Sequence, residues 1–271
     1  DAAKNIAKKA TGADDNNESK YDSSHRVPVH HQDQPGHQGN MPEQPINDKL
    51  PTGDGGYQAY KPAGKLQGRK ALITGGDSGI GRAIAILYAL EGASSTIVHL
   101  PQEEQDALET KRYCEERGGK VDLIAADLRS AQTCKSVVEQ ALKNMGSINI
   151  LVLNHGYQMQ KDVIEELTEE QWLKTFDTNI HPFFFLSKYA VPHMKSGDTV
   201  ITCASINHYI GRPDLLDYSS TKGAIVAFTR GLSNQLIERG IRVNAVCPGP
   251  SMFLFFPYLN FARLWSSNSN K

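Results

Sequence analysis

Two short stretches of this chain carry residue types at spacings suited to chemistry. The first is Thr74–Gly81, TGGDSGIG, in which Gly75, Gly79 and Gly81 fit the pattern TGxxxGxG around Ser78 and Ile80. Glycines let a backbone turn tightly and approach a pyrophosphate, and a helix opening directly behind them, here Arg82–Leu90, stabilises the phosphate charge with its N-terminal amides. The second stretch holds Ser205, Tyr218 and Lys222 in SINHYIGRPDLLDYSSTK. Tyr218 and Lys222 are four apart and share one helical face, because Ile225, Phe228, Leu232 and Leu236 continue the segment at helical spacing. A phenol with a pKa of about 10 is a poor base at neutral pH, and a neighbouring ammonium favours the phenolate. The pair therefore suits proton transfer, with Ser205 placed to hydrogen-bond the reacting oxygen. A YxxxK pair alone is equally well a solvated helix face, and a glycine loop alone a structural turn; the combination is specific.

The elements that must position these residues are legible as hydrophobic patterning. Strand-like runs occur at Ala71–Thr74, Ser95–Leu100, Val121–Ala126, Ile148–Leu153, Thr199–Cys203 and Ile241–Val246, and helical stretches at 79–91, 103–117, 130–144, 165–194 and 217–239. Such alternation predicts an α/β fold, a doubly wound parallel sheet of Rossmann type covered by helices on both faces, in one domain over 66–250. Residues 1–60 hold only Ile6, Val27, Val29, Ile46 and Leu50 as large aliphatics and no Phe or Trp, which predicts a polar arm, disordered or laid over another surface. His25, His30, His31 and His37 fall in that arm without a rigid scaffold, and no metal site is expected from them. Residues 251–271 break the alternation: Phe253, Phe255, Phe256, Tyr258, Phe261 and Trp265 crowd together before a polar end.

Charge and cysteine content exclude other classes. With 29 Lys and Arg against 30 Asp and Glu, no basic field exists to collect nucleic acid or anionic lipid. The charge-free stretch Asn244–Ala262 contains Pro248, Pro250 and Pro257 and cannot run as a membrane-spanning helix. Cys114, Cys134, Cys203 and Cys247 form no CxxC pair, so neither a zinc site nor a disulfide framework is expected. These features predict a soluble cytoplasmic protein. The chain begins at Asp1 rather than Met, which leaves room for an upstream segment and any targeting signal in it.

With these motifs in order, residues 66–250 resemble the short-chain dehydrogenase/reductase family, and the lead-in KLQGRKALITGGDSGIGRA with its polar arm is similar to the glucose/ribitol-dehydrogenase-like, aldehyde-reducing subgroup. The resemblance implies hydride transfer between NAD or NADP and a small carbonyl or alcohol substrate, such as an aldehyde, sugar or polyol. It implies Tyr218 as general acid in reduction and base in oxidation, Lys222 on the nicotinamide ribose, Ser205 on the substrate oxygen and Asn179 on a relay water. Asp127 and Leu128 would lie by the adenine; Gly75, Ser78, Gly79, Ile80, Gly81, Asn154, Gly156, Pro248 and Gly249 would complete the cofactor site. Simpler roles compete for two of these: Asp127 as a cap of the next helix, and Asn179 as a partner for backbone groups at a helix bend.

Three departures stand out. His155 occupies a position where the family usually has alanine, and would crowd the cofactor's ribose side or point to solvent. Leu100 and Pro101 stand where an acid would favour NAD, with Glu103 and Glu104 just beyond and no Arg or Lys in the glycine loop, so the choice between NAD and NADP stays open. After Gly249 only 22 residues remain, too few for the family's last helix and strand. A fold lacking its last strand is therefore expected, with a homo-oligomer expected for a complete ending. That ending keeps a second function in view: a nucleotide-binding protein impaired in catalysis, or a truncated product.

Overall fold

In a computed structural model, which describes Gln32 and residues 34–249, six parallel strands form one sheet. They are β3 (Lys70–Thr74), β4 (Ser94–His99), β5 (Lys120–Ala125), β6 (Ile150–Leu153), β7 (Thr199–Cys203) and β8 (Arg242–Val246), in the order β5-β4-β3-β6-β7-β8. Each expected strand is present, with its ends moved by no more than two residues. The helices between them are α1 (Gly79–Leu90), α2 (Glu104–Glu115), α3 (Ala131–Met145), α4 (Glu169–Asn179), α5 (His181–Ala190), the single turn α6 (Asn207–Ile210) and α7 (Leu216–Leu236). The expected end segment 251–271 lies outside the described residues, among which β8 is one edge of the sheet.

Alternation along the strands divides the core in two. Ala71 and Ile73 of β3 join Ile97, Val121, Ile150 and Val152 under Ala85, Ile86 and Ala89 of α1 and Cys114 of α2. Leu72 faces the opposite way, with Val98, Leu151 and Val200, and is covered by Val137, Val138 and Ala141 of α3, Phe183 and Leu186 of α5 and Ile225 of α7. A sheet buried on both faces explains the nearly continuous aliphatic runs. Because β3 pairs with both β4 and β6, the winding direction reverses at its carboxyl end, and a crevice opens there.

The single helix expected over 165–194 is broken. α4 ends at Asn179, Ile180 leaves the helical region at φ −122°, and α5 restarts with Pro182 in its first turn. Proline has no N–H to donate and its ring crowds the preceding turn, so it belongs at a helix start.

The part of the expected arm from Gln34 onward is laid over the domain. It contains a 3₁₀ turn at Gln38–Asn40 and a hairpin of β1 (Lys49–Pro51) and β2 (Tyr57–Ala59), paired Lys49 to Ala59. Polar contacts hold it: Arg117 Nε donates to Asp48 Oδ2 at 2.9 Å, and the Tyr60 hydroxyl donates to Glu91 Oε1. Few apolar residues are needed for such docking, which is why composition alone does not reveal it.

Candidate active site

β3 delivers Thr74 to the crevice, and the chain turns through Gly75–Ser78 into α1. Gly79 adopts φ +55°, a left-handed conformation that side chains disfavour. Gly81 serves packing: a Cβ there would fall 1.8 Å from the Gly75 carbonyl oxygen. Arg82, fully buried behind the loop, donates from Nε to the Asp77 carbonyl at 3.0 Å and from Nη2 to Asp106 Oδ1 at 3.0 Å, while Thr110 Oγ1 donates to the same Asp77 carbonyl at 2.6 Å. From β6, Asn154 Nδ2 donates to the Gly75 carbonyl at 3.0 Å. The loop is thus braced on both sides, and Gly75, Asp77, Ser78, Gly79 and Ile80 line a cleft of about 470 Å³.

At the far side of that cleft stand Ser205, just past β7, and Tyr218 and Lys222 on α7. Burial pushes the Tyr218 phenol up to about 12, with a hydrogen bond to Ser205 acting in the opposite direction. The expected lowering by the lysine is not found. Lys222, itself buried, donates from Nζ to the Cys203 carbonyl at 2.7 Å and lies 5.3 Å from the Tyr218 ring centroid; burial also lowers its pKa. Desolvation of both groups outweighs their mutual attraction, so the phenol keeps its proton at neutral pH.

Asp217 holds this helix in place. Its Oδ2 accepts from Thr175 Oγ1 at 2.7 Å and from Gln171 Nε2 at 3.1 Å, both on α4. Asn179 does not line the cleft. It is fully buried behind it, accepting from Tyr157 N at 2.6 Å and donating to the Tyr157 carbonyl at 2.8 Å and to Thr221 Oγ1 at 3.1 Å. Its side chain ties the end of α4 to the Tyr157 backbone in the segment that follows β6.

Ser78, Ile80, Asp127, Leu128, Asn154, Gly156, Pro248 and Gly249 all border the cleft. Asp127 does not cap α3, where Ser130 accepts from Thr133 N; it pairs with Arg129 instead, at 2.5 Å. Gly156 lies against the lysine: a Cβ there would meet Lys222 Nζ at 3.6 Å, an ordinary contact distance. His155 lines the cleft rather than pointing to solvent. Its ring turns inward, 5.1 Å from that of Phe183, with Nδ1 2.7 Å from Thr74 Oγ1, and burial pushes it down to about 3, keeping it neutral.

The structure adds residues that no local pattern marks. Gln34 and Pro35 of the arm line the cleft, as do Arg212, Lys174 and Tyr157. Glu103 lies near the end of β4, where burial, with the charge of Asp77 second, pushes it up to about 8. Among the described residues, no helix is long and apolar enough to cross a membrane.

The chain matches the family model for short chain dehydrogenases over residues 69–252. It is 48% identical over 196 residues to the glucose and ribitol dehydrogenase of Daucus carota, a stretch covering 70% of this chain and 68% of that one. It is 47% identical over 196 residues to the chloroplastic NADPH-dependent aldehyde reductase 1 of Arabidopsis thaliana, again covering 70% and 68%. The chain thus spans about two thirds of the length of these relatives. Among solved structures, a short chain dehydrogenase from Burkholderia cenocepacia J2315 in complex with NADP superposes with a TM-score of 0.70 at 28% identity, covering 75% of this chain and 83% of that one.

Proposed function

The chain belongs to the short chain dehydrogenase family of NAD(P)-dependent oxidoreductases, and from that premise we propose that it reduces small aldehydes or oxidises the corresponding sugar alcohols, with Tyr218 handling the proton. The observation carrying this reading is that Ser205, Tyr218 and Lys222 line the same cleft as a glycine loop at a helix N-terminus. The nicotinamide, when bound, supplies or takes the hydride. The turn into α1 would hold the phosphates through the Ile80 amide, Asp127 and Leu128 the adenine end, and Asn154, Gly156, Pro248 and Gly249 the nicotinamide end.

Tyr218 gives its phenolic proton to the carbonyl oxygen in reduction and recovers it in oxidation. Ser205 orients that oxygen toward Tyr218. Lys222 would hold the cofactor's ribose and would stabilise a phenolate on Tyr218 as it forms. Asn179 acts as a positioning residue through Tyr157 and Thr221, in place of the water relay that the resemblance implies; Thr221 in turn donates to the Tyr218 carbonyl at 2.7 Å. Four cysteines without a CxxC pair suit a reducing compartment such as the cytoplasm.

The test is a panel of short aldehydes, sugars and polyols followed at the nicotinamide absorbance with each cofactor. Tyr218→Phe is expected to lower turnover by about 10²–10⁴-fold while leaving dinucleotide affinity nearly unchanged. A Tyr218→Phe variant that turns over normally would place the proton transfer elsewhere.

A further inference from the structure

The glycine loop has a partner outside the doubly wound domain. Gln38, in the 3₁₀ turn of the arm, is 2% exposed, and its Oε1 accepts from the Gly79 amide, the first of α1, at 2.7 Å. Its own backbone is anchored: Asp106 Oδ2 accepts from Gln38 N at 3.0 Å, and Asp106 Oδ1 from Gly39 N at 3.3 Å. Asp106 is also the carboxylate that meets Arg82, whose Nε holds the Asp77 carbonyl. One continuous polar network therefore runs from the arm to Asp106, Arg82 and the glycine loop. Just upstream, Gln34 and Pro35 form part of the cleft wall, and Gln34 Nε2 crosses to donate to the Gln158 carbonyl at 2.8 Å.

We infer that arm residues 34–40 are part of the dinucleotide site, with Gln38 a positioning residue that holds the glycine loop in its phosphate-binding shape. A loop built from glycines has many backbone states available, and the left-handed Gly79 has to be held in one of them for the next amide, Ile80, to face a phosphate. Gln38 takes up the Gly79 amide, which would otherwise compete for the phosphate in a different geometry or remain unpaired. Docking of the arm and binding of the dinucleotide then favour one another, and linkage makes the coupling reciprocal. The inference rests on the dinucleotide reading of the cleft, and its test separates the two.

Gln38→Met keeps the side-chain length and removes the acceptor. In the full chain, titrated with NADH and NADPH separately by nicotinamide fluorescence, it is expected to raise the Kd of the dinucleotide bound by the unaltered chain about tenfold. The KM for that cofactor should rise in step while kcat at saturation changes far less, and the cofactor-free thermal midpoint should fall because the buried Gly79 amide loses its acceptor. Unchanged affinity overturns the inference, and so does tighter binding, which would make the arm a plug. If Gln38→Met does not fold, amide hydrogen exchange at Gln38 and Gly39 in the unaltered chain decides: protection that rises on adding dinucleotide supports the coupling, and protection that stays level overturns it. An unaltered chain that binds neither dinucleotide would refute the reading of the cleft itself, whereas binding by that chain with an indifferent Gln38→Met variant would refute only the role of the arm.

Discussion

The two sides of the cleft are built on different principles. The side at β3 and α1 is made of backbone: its working groups are amides, and its shape depends on positions where no side chain fits, such as Gly81 with 1.8 Å between a hypothetical Cβ and a carbonyl oxygen. The side at β7 and α7 is made of side chains that reach the cleft from distant points in the sequence. Ser205 follows a strand, Tyr218 and Lys222 lie on a later helix, and that helix is held by Thr175, Gln171 and Asn179 from α4. A backbone site tolerates almost no change at its glycines, and the side chains around it, such as Arg82, Asn154 and Gln38, serve to hold its backbone in shape. A side-chain site depends on hydrogen bonds that each contribute modestly and fail one at a time.

That contrast is sharpest for Gly79→Val. A β-branched residue at φ +55° forces the turn to change, and dinucleotide binding is expected to disappear in a fluorescence or calorimetric titration. The far-UV spectrum should remain that of a folded chain, because Gly79 belongs to neither hydrophobic cluster of the core. Retained affinity would break the comparison by showing that the loop tolerates remodelling.

A smaller effect is expected at Asn179→Ala. The substitution leaves the Tyr157 amide and carbonyl without their partner and removes a donor to Thr221, so stability should fall by about 1–3 kcal/mol in urea unfolding. Turnover should decline through misplacement of Tyr218, while cofactor affinity stays close to normal. Loss of affinity equal to the loss of turnover would show that the two sides are not separable.

The smallest effect concerns His155, where the two sides meet. Its pKa in the folded chain is about 3 against an ordinary 6.5, so between those values the unfolded chain takes up a proton that the folded chain refuses. Stability is therefore lost as pH falls from 6.5 toward 3. Replacing it with alanine should flatten that part of the stability–pH curve, measured by denaturant midpoints at successive pH values. An unchanged slope would mean that the ring does not stay neutral and buried.

Legibility in the sequence followed the same division. Six strands and the glycine loop could be placed within two residues, because strand alternation and a turn that only glycine can make are local properties of the chain. The break between α4 and α5 was also written locally, in Pro182, yet the apolar periodicity around it reads as one uninterrupted helix. Tyr218 and Lys222 were visible as a pair four apart, but their protonation was not. Proximity suggests a lowered phenol, and only burial of both groups reverses that.

By itself, then, the sequence determined the order of elements, the glycine turn and the types of side chain available for proton transfer, since each depends on interactions within a few residues. The tertiary structure decided which of them share a cleft, that Asn179 is committed to Tyr157, that His155 turns inward, and that a polar arm reaches Gly79 through Gln38. The physical reason is the same in each case. Desolvation and long-range hydrogen bonding depend on what surrounds a group in space, and a residue such as Gln38, 41 positions from its partner, carries no local sign of what will cover it.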